Sequence, residues 1–273
     1  MTTLAALKAI ALGVGGAAAL MYGYLFISQE AMVFPGSRMD LRSMAGLPDA
    51  FPDVEALDMK TPDGISLEGW FLDRGGGAPL LIYFGGNAEE VSYNIPDFRE
   101  NFPGWSVVLF NFRGYSASGG SPSERALAKD ALLIYDTFTK RLDPPKVVLM
   151  GRSLGCGVAV SLASSRKVDA MVLVSPYRSL VHLGRRYYPW VPVGLLLRHR
   201  FDSLSLVPGL HMPALVVAGG SDSIIPPDES RGLYEAMNEP VNYVEVPGAG
   251  HNDIHLFRAY WDAVSHFLDD LRG

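Results

Sequence analysis

Residues 146–160 read KVVLMGRSLGCGVAV. An apolar, β-branched run leads into Gly151-Arg-Ser-Leu-Gly155, and small apolar residues follow. This pattern predicts a buried strand, a sharp turn and then a helix. At such a turn the Ser153 hydroxyl is held out above the carboxyl end of the strand, where the helix N-terminus favours negative charge. The pattern therefore predicts a nucleophilic serine, the arrangement known as a nucleophile elbow.

On both sides of this turn in the sequence, short apolar runs alternate with helical stretches. Strands are predicted at 54–60, 65–72, 80–84, 107–112, 147–150, 170–174, 214–218 and 243–246, and helices at 123–141, 154–165 and 251–271. Such alternation predicts an α/β fold with a mostly parallel central sheet and helices on both faces. Residues 176–212, rich in leucine and aromatic residues, interrupt the rhythm and are predicted to form a small helical lid.

A serine becomes a good nucleophile only beside a base that a carboxylate orients. Asp222 follows the strand at 214–218, and His251 follows the strand at 243–246. Carboxyl ends of parallel strands meet at one edge of the sheet, and the order Ser, Asp, His is that of hydrolases with this turn. We therefore predict a catalytic triad of Ser153, Asp222 and His251; the alternative makes Asp222 a turn residue and His251 a helix cap.

An attacking serine also needs backbone N–H groups that stabilise the oxyanion. The N–H of Leu154, directly after the serine, is one candidate. The other is the N–H of Asn87, in the loop Gly85-Gly-Asn-Ala88 that follows the strand at 80–84. The alternative for this loop is a glycine turn that serves only chain geometry.

The sequence predicts neither a cofactor nor a metal. It has no phosphate-binding loop and no dinucleotide fingerprint. His251 and His255 are four residues apart, but Asn252 stands where a metalloprotease helix has glutamate. The single cysteine, Cys156, excludes an intrachain disulfide and is expected to pack as a small apolar residue. With a formal net charge of -6 and no basic cluster, a nucleic-acid partner is not expected.

Residues 9–29 carry no charge and would span about 30 Å as a helix, the thickness of a bilayer core. We predict a single-pass membrane anchor at 1–29, a linker at 30–53 and a catalytic domain at 54–273. The alternative is a signal peptide cleaved near the small residues 17–19. The sequence leaves open which side of the membrane the domain faces, as well as the oligomeric state.

Residues 54–273 resemble an α/β-hydrolase, and more narrowly the membrane-anchored serine hydrolases of the abhydrolase group. The motifs that carry the resemblance are Tyr83-Phe-Gly-Gly-Asn-Ala88, Asn111-Phe-Arg-Gly-Tyr115, Gly120-Ser-Pro-Ser-Glu124, Gly151-Arg-Ser-Leu-Gly155, Asp222 with Pro226, and Gly250-His251. That group has bacterial members of unsettled substrate and eukaryotic relatives that include protein depalmitoylases. Two positions depart from the group's pattern: Gly85 replaces a frequent histidine, and Ser116 replaces a usual glycine.

Together, the residues and the resemblance predict an acyl hydrolase that cleaves an ester or thioester, with a lipid-like acyl substrate at a membrane surface. A peptidase acting through the same triad is the second enzymatic alternative. A non-catalytic scaffold with this fold is the alternative from another class, and three complete triad positions argue against it.

Overall fold

The computed structural model of the protein describes residues 3–44, 46–238 and 241–272. Its strands are β1 (Val54–Lys60), β2 (Ser66–Leu72), β3 (Leu80–Phe84), β4 (Ser106–Phe110), β5 (Val147–Arg152), β6 (Ala170–Val174), β7 (Ala214–Gly219) and β8 (Val241–Val246). They form one sheet in the order β1-β2-β4-β3-β5-β6-β7-β8. The pairs β1–β2 and β2–β4 are antiparallel, and the pairs from β4 through β8 are parallel. The predicted α/β fold with a mostly parallel sheet is confirmed.

Helices cover both faces of this sheet. They are α1 (Thr3–Val33), α2 (Leu47–Ala50), α3 (Ile95–Asn101), α4 (Glu124–Leu142), α5 (Leu154–Ala163), α6 (Leu180–Tyr187), α7 (Val193–Leu196), α8 (Ser203–Leu206), α9 (Pro227–Tyr234) and α10 (Arg258–Arg272). Short 3-10 turns lie at Pro35–Arg38, Val91–Asn94, Val207–Gly209 and Ile254–Leu256.

Strand β3 shows why short apolar runs in this sequence form buried strands. All five of its residues are buried. Leu80, Ile82 and Phe84 pack into the core on one face, and Leu81 and Tyr83 into the core on the other. A strand covered on both faces has no polar side to alternate with, so its sequence is continuously apolar.

The last helix begins later than predicted. The sequence prediction placed its start at residue 251, but a turn and a 3-10 segment precede α10, which starts at Arg258. The Asp253 carboxylate accepts the Gly250 N–H at 2.6 Å and closes a loop around His251 instead of a first helical turn. Helices α3 and α9 were not predicted from the sequence, since both are short and contain proline near the start.

Helix α1 is longer than the uncharged segment 9–29 and ends inside the predicted linker. The span Leu12–Val33 is long and apolar enough to cross a membrane, and only 6% of its most apolar window is buried within the protein. The rest of 30–53 holds the 3-10 turn Pro35–Arg38 and α2. Residues 176–212 contain α6, α7 and α8, which we refer to together with their connections as the lid.

Candidate active site

Ser153 occupies the turn between β5 and α5 in a backbone conformation that residues other than glycine rarely adopt. Its φ of 52° and ψ of -117° lie outside the helical and extended regions. The turn is held because the Ser153 N–H donates to the Val174 carbonyl at 2.9 Å and its carbonyl accepts the Cys156 N–H at 3.0 Å. Strain of this kind costs about 1–3 kcal/mol and persists where a site depends on it.

The two glycines beside Ser153 are required by close packing. A Cβ at Gly151 would lie 2.6 Å from the Gly155 carbonyl oxygen. A Cβ at Gly155 would lie 2.0 Å from the carbonyl oxygen of Phe84, at the end of β3. Both clashes are with backbone atoms, which cannot give way as a flexible side chain can. The glycines therefore let α5 approach the sheet closely enough to form the sharp turn.

His251 and Asp222 lie beside Ser153, each in the loop after its strand. The His251 Nε2 atom is 3.0 Å from the Ser153 Oγ atom. The His251 Nδ1 atom is 2.7 Å from Asp222 Oδ2. The three residues that the sequence placed after β5, β7 and β8 thus form a continuous hydrogen-bonded chain.

The ionisation of Asp222 determines which atoms of the three side chains donate hydrogen bonds and which accept them. Burial by itself would raise the pKa of Asp222, but hydrogen bonds from His251, Ile225 and Ile224 outweigh it and the pKa is lowered. Asp222 is therefore an ionised carboxylate, which can only accept hydrogen bonds. In the neutral imidazole, His251 then carries its proton on Nδ1, and its Nε2 lone pair accepts the Ser153 hydroxyl proton.

The loop after β3 faces Ser153 across the mouth of the turn. A Cβ at Gly86 would lie 3.6 Å from the Ser153 Cβ atom, and Asn87, Leu154 and Ser153 line one cavity. As the first residue of α5, Leu154 has an N–H with no acceptor within the helix. The Asn87 side chain is occupied elsewhere, because it donates to the Val33 carbonyl at 2.7 Å and accepts the Tyr115 hydroxyl at 2.5 Å.

Two charged residues without a predicted role, Arg152 and Glu89, connect these loops. Arg152, next to Ser153, pairs with Glu89 at 3.2 Å and donates to the His251 carbonyl at 3.0 Å. The same Glu89 accepts the Gly86 N–H at 2.7 Å. The only local signal for either residue was its neighbourhood in sequence: Arg152 lies inside the serine motif and Glu89 directly after the Asn87 loop.

A cavity of about 670 Å³ opens above Ser153 and His251. This volume lies within the range of small-molecule sites. Its walls are mainly apolar side chains of the lid and of the end of α1, among them Leu25, Leu183 and Leu196. Such walls fit an apolar chain next to the polar reacting groups.

No metal cluster is found among the residues that the structure describes. Both ring nitrogens of His251 have partners in Asp222 and Ser153, so His251 has none left to pair with His255 on a metal ion. Cys156 is buried, and its thiol donates to the Gly151 carbonyl at 3.1 Å. Burial raises the pKa of this thiol, which keeps it protonated and unreactive.

Comparison with known proteins places this fold in a family. A family model described as alpha/beta hydrolase fold matches residues 79–205. An uncharacterized protein of Mycobacterium tuberculosis, Rv2307c, is 37% identical over 90% of this chain and 89% of its own length. The uncharacterized membrane protein YNL320W of Saccharomyces cerevisiae is 31% identical over 89% of this chain and 90% of its own length. Among solved structures, the Pyrococcus furiosus esterase PF2001 shares the fold, with a TM-score of 0.68, 20% identity, and coverage of 84% of this chain and 96% of that one.

The chain therefore belongs to the α/β-hydrolase family. The family assignment supports a hydrolase.

The two departures from the family pattern have visible consequences. A Cβ at Gly85 would lie 2.7 Å from Val91 Cγ1, so the Val91 side chain occupies the space that a side chain at position 85 would need. Ser116 has a φ of 50°, in the left-handed region that favours glycine. Ser116 therefore adopts the left-handed turn conformation that a glycine usually supplies at this position.

Proposed function

We propose that the protein is a serine hydrolase that cleaves a carboxylic ester or thioester of a lipid-like acyl substrate. The observation that carries the proposal is the hydrogen-bonded chain from Ser153 Oγ through His251 to Asp222, at 3.0 and 2.7 Å. Those distances lie in the range that a nucleophile, a base and its orienting carboxylate require.

In the proposed reaction His251 Nε2 takes the hydroxyl proton of Ser153 as Oγ forms a bond to the carbonyl carbon of the substrate. The carbonyl π electrons move to its oxygen, and the N–H groups of Leu154 and Asn87 stabilise the resulting oxyanion. When the tetrahedral intermediate collapses, the bond to the leaving oxygen or sulfur breaks. His251 returns the proton to that atom, so an alcohol or thiol departs and an acyl-enzyme remains.

Water then completes the cycle by the same steps. His251 removes a proton from the water molecule as its oxygen attacks the acyl carbon. Collapse of the second intermediate breaks the bond to Ser153 Oγ, which regains its proton from His251, and a carboxylic acid is released. Asp222 remains ionised throughout and stabilises the imidazolium that forms twice in the cycle.

The apolar cavity and helix α1 support the lipid-like substrate. Mainly apolar walls favour an acyl chain over a charged or strongly polar group. We propose residues 1–29 as a single-pass anchor that holds the domain of residues 54–273, with its lid at 176–212, at the membrane surface.

Labelling with a fluorophosphonate tests the nucleophile. The wild-type protein should react covalently at Ser153, and Ser153→Ala should not react, while Ser161→Ala in α5 should label like the wild type. Equal labelling of wild type and Ser153→Ala would exclude Ser153 from the chemistry. Turnover of aminoacyl anilides without turnover of p-nitrophenyl acyl esters would show a peptidase activity and contradict the proposed esterase activity.

A further inference from the structure

Between residues 18 and 29, helix α1 presents one stripe of its surface to the lid and leaves most of its other residues exposed. Ala18, Tyr22, Leu25 and Gln29 are partly or fully buried, and they follow one another at intervals of four, three and four residues. Residues at such intervals share one helix face. Between them, Leu20 and Ile27 are each 79% exposed and Tyr24 is 69% exposed. The helix is thus apolar on its free faces and attached to the domain along a single stripe.

The attachment is made by specific hydrogen bonds. Gln29, only 5% exposed, donates from Nε2 to the Leu196 carbonyl at 3.2 Å and accepts the Arg198 N–H on Oε1 at 2.7 Å. About two helical turns earlier in α1, the Tyr22 hydroxyl donates to the Trp190 carbonyl at 3.2 Å. A buried amide is costly unless it is paired, so these bonds fix the position of the helix along the lid.

The same helix reaches the reacting groups. Its last residue, Val33, accepts the Asn87 side-chain amide at 2.7 Å, which connects the end of α1 with the loop proposed to stabilise the oxyanion. Leu25, Gln29 and Met32 line the cavity that also contains Ser153 and His251. Lid residues such as Leu183 and Leu196 line the same cavity, so α1 and the lid both contribute to its walls.

The exposed lid residues, several of which also line the cavity, have the composition of a membrane-contacting surface. Four arginines of the lid are exposed, at positions 185, 186, 198 and 200, whereas Arg178 pairs with the buried Glu229. The lid contains one acidic residue, Asp202, in a chain whose net charge is -6. Tyr187, Tyr188, Trp190 and Leu195 are exposed by 45, 46, 59 and 86%. Tyrosine and tryptophan favour the headgroup layer, and arginine is attracted to anionic lipids.

We infer that the substrate is a lipid ester resident in the bilayer, and that its acyl chain enters the cavity directly from the membrane, between α1 and the lid. The anchor is then one wall of the substrate site as well as a tether. This inference rests on the proposed esterase function. It adds the location of the substrate and the route by which it reaches Ser153.

The test uses the full-length protein reconstituted in vesicles that contain anionic phospholipid. 4-Methylumbelliferyl palmitate dissolved in the bilayer is compared with soluble 4-methylumbelliferyl acetate. Leu25→Trp and Met32→Trp narrow the proposed route from the helix side, whereas Ile27→Trp places the same bulk on an exposed face of the same helix. We expect the ratio of palmitate to acetate turnover to fall at least about tenfold in the first two variants and to stay at the wild-type value in Ile27→Trp.

A second experiment uses only the wild-type protein and compares two locations of the substrate. Palmitate ester placed in the enzyme's own vesicles should be hydrolysed at least about tenfold faster than the same ester supplied in separate, protein-free vesicles, since the chain enters within one bilayer. Equal rates from the two locations would overturn the inference, as would equal ratios in Leu25→Trp, Met32→Trp and Ile27→Trp. Failure of the wild type to label with fluorophosphonate or to hydrolyse the acetate ester would contradict the proposed function itself.

Discussion

The guanidinium of Arg152 donates to the backbone carbonyl of His251 across 3.0 Å, so the residue before the proposed nucleophile holds the loop of the proposed base. Burial by itself would lower the pKa of Arg152, but the nearby Glu89 carboxylate outweighs it and the pKa is raised. Arg152 therefore stays charged. Since Glu89 also accepts the Gly86 N–H, one ion pair joins the three loops that carry the proposed nucleophile, the proposed base and the proposed oxyanion donors.

Arg152→Met should lower kcat about 10- to 100-fold with a smaller effect on KM, because the groups that it positions act on the transition state more than on substrate binding. Arg152→Lys keeps the charge but not the fork of donors and should recover part of the loss. The measurement is steady-state kinetics with a short acyl ester, together with the rate of fluorophosphonate labelling. Arg166→Met removes a surface arginine paired with Asp136 and is the matched control. If Arg152→Met behaved like this control, the positioning role would be wrong.

Asp222→Asn should lower kcat about 10⁴-fold while the protein still folds. The asparagine amide fills the same space, but it can present a donor to His251 Nδ1 and so favour the wrong tautomer of the imidazole. Asp228→Asn, on the surface at the start of α9, is the control and should retain wild-type kcat. A loss below about tenfold in Asp222→Asn would mean that another carboxylate orients His251.

Tyr115→Phe should reduce kcat about tenfold without a matching change in KM. The buried Tyr115 hydroxyl donates to Asn87 Oδ1 at 2.5 Å. Its loss would let the proposed oxyanion loop move while leaving the Asn87 N–H chemically intact. Tyr135→Phe removes another largely buried hydroxyl, which donates to the Lys167 carbonyl, and is the control. Equal kcat in Tyr115→Phe and the wild type would show that the loop keeps its position without this hydrogen bond.

The sequence predicted the features that depend on local pattern. The apolar runs that became β3 and β6 kept their bounds of Leu80–Phe84 and Ala170–Val174 because strands buried on both faces cannot tolerate polar residues. The helix predicted at 123–141 became α4, and Ser123 caps its start by accepting the Ala126 N–H at 3.2 Å. The positions of Asp222 and His251 followed from strand order alone, since parallel strands end at one edge.

The sequence could not predict contacts that depend on tertiary structure. Gln29 lies in an uncharged stretch that gives no sign of a partner, and its acceptor and donor are in the lid, 167 and 169 residues away. Arg152 and Glu89 are 63 residues apart and carry no motif of their own. The late start of α10 was missed because the side chain of Asp253 competes with the helix for a backbone N–H, and helical periodicity does not record this competition.

The lid is also held by a buried carboxylate whose ionisation makes its stability depend on pH. Glu229 of α9 has a fully buried side chain and accepts hydrogen bonds from Arg178 at 2.8 Å and from His182 at 2.7 Å. Burial would raise the pKa of Glu229, but Arg178 and His182 outweigh it and the pKa is lowered below 4.5. A carboxyl whose folded-state pKa is depressed adds stability above its unfolded pKa and loses that stability as the pH falls through its folded pKa.

Glu229→Gln should therefore lower the free energy of unfolding by about 2–3 kcal/mol near pH 7, since Arg178 loses its nearer charged partner and retains Asp228 at 3.8 Å. The difference from wild type should stay constant down to about pH 5.5 and narrow below the ordinary glutamate pKa of 4.5, as the wild-type carboxyl becomes neutral like the amide. Urea unfolding of both proteins in detergent between pH 7 and pH 4 measures this. Glu55→Gln, which breaks an exposed pair with Arg141, should change stability by less than about 1 kcal/mol at every pH. A Glu229→Gln deficit that is the same at pH 4 as at pH 7 would mean that the carboxylate charge does not stabilise the lid.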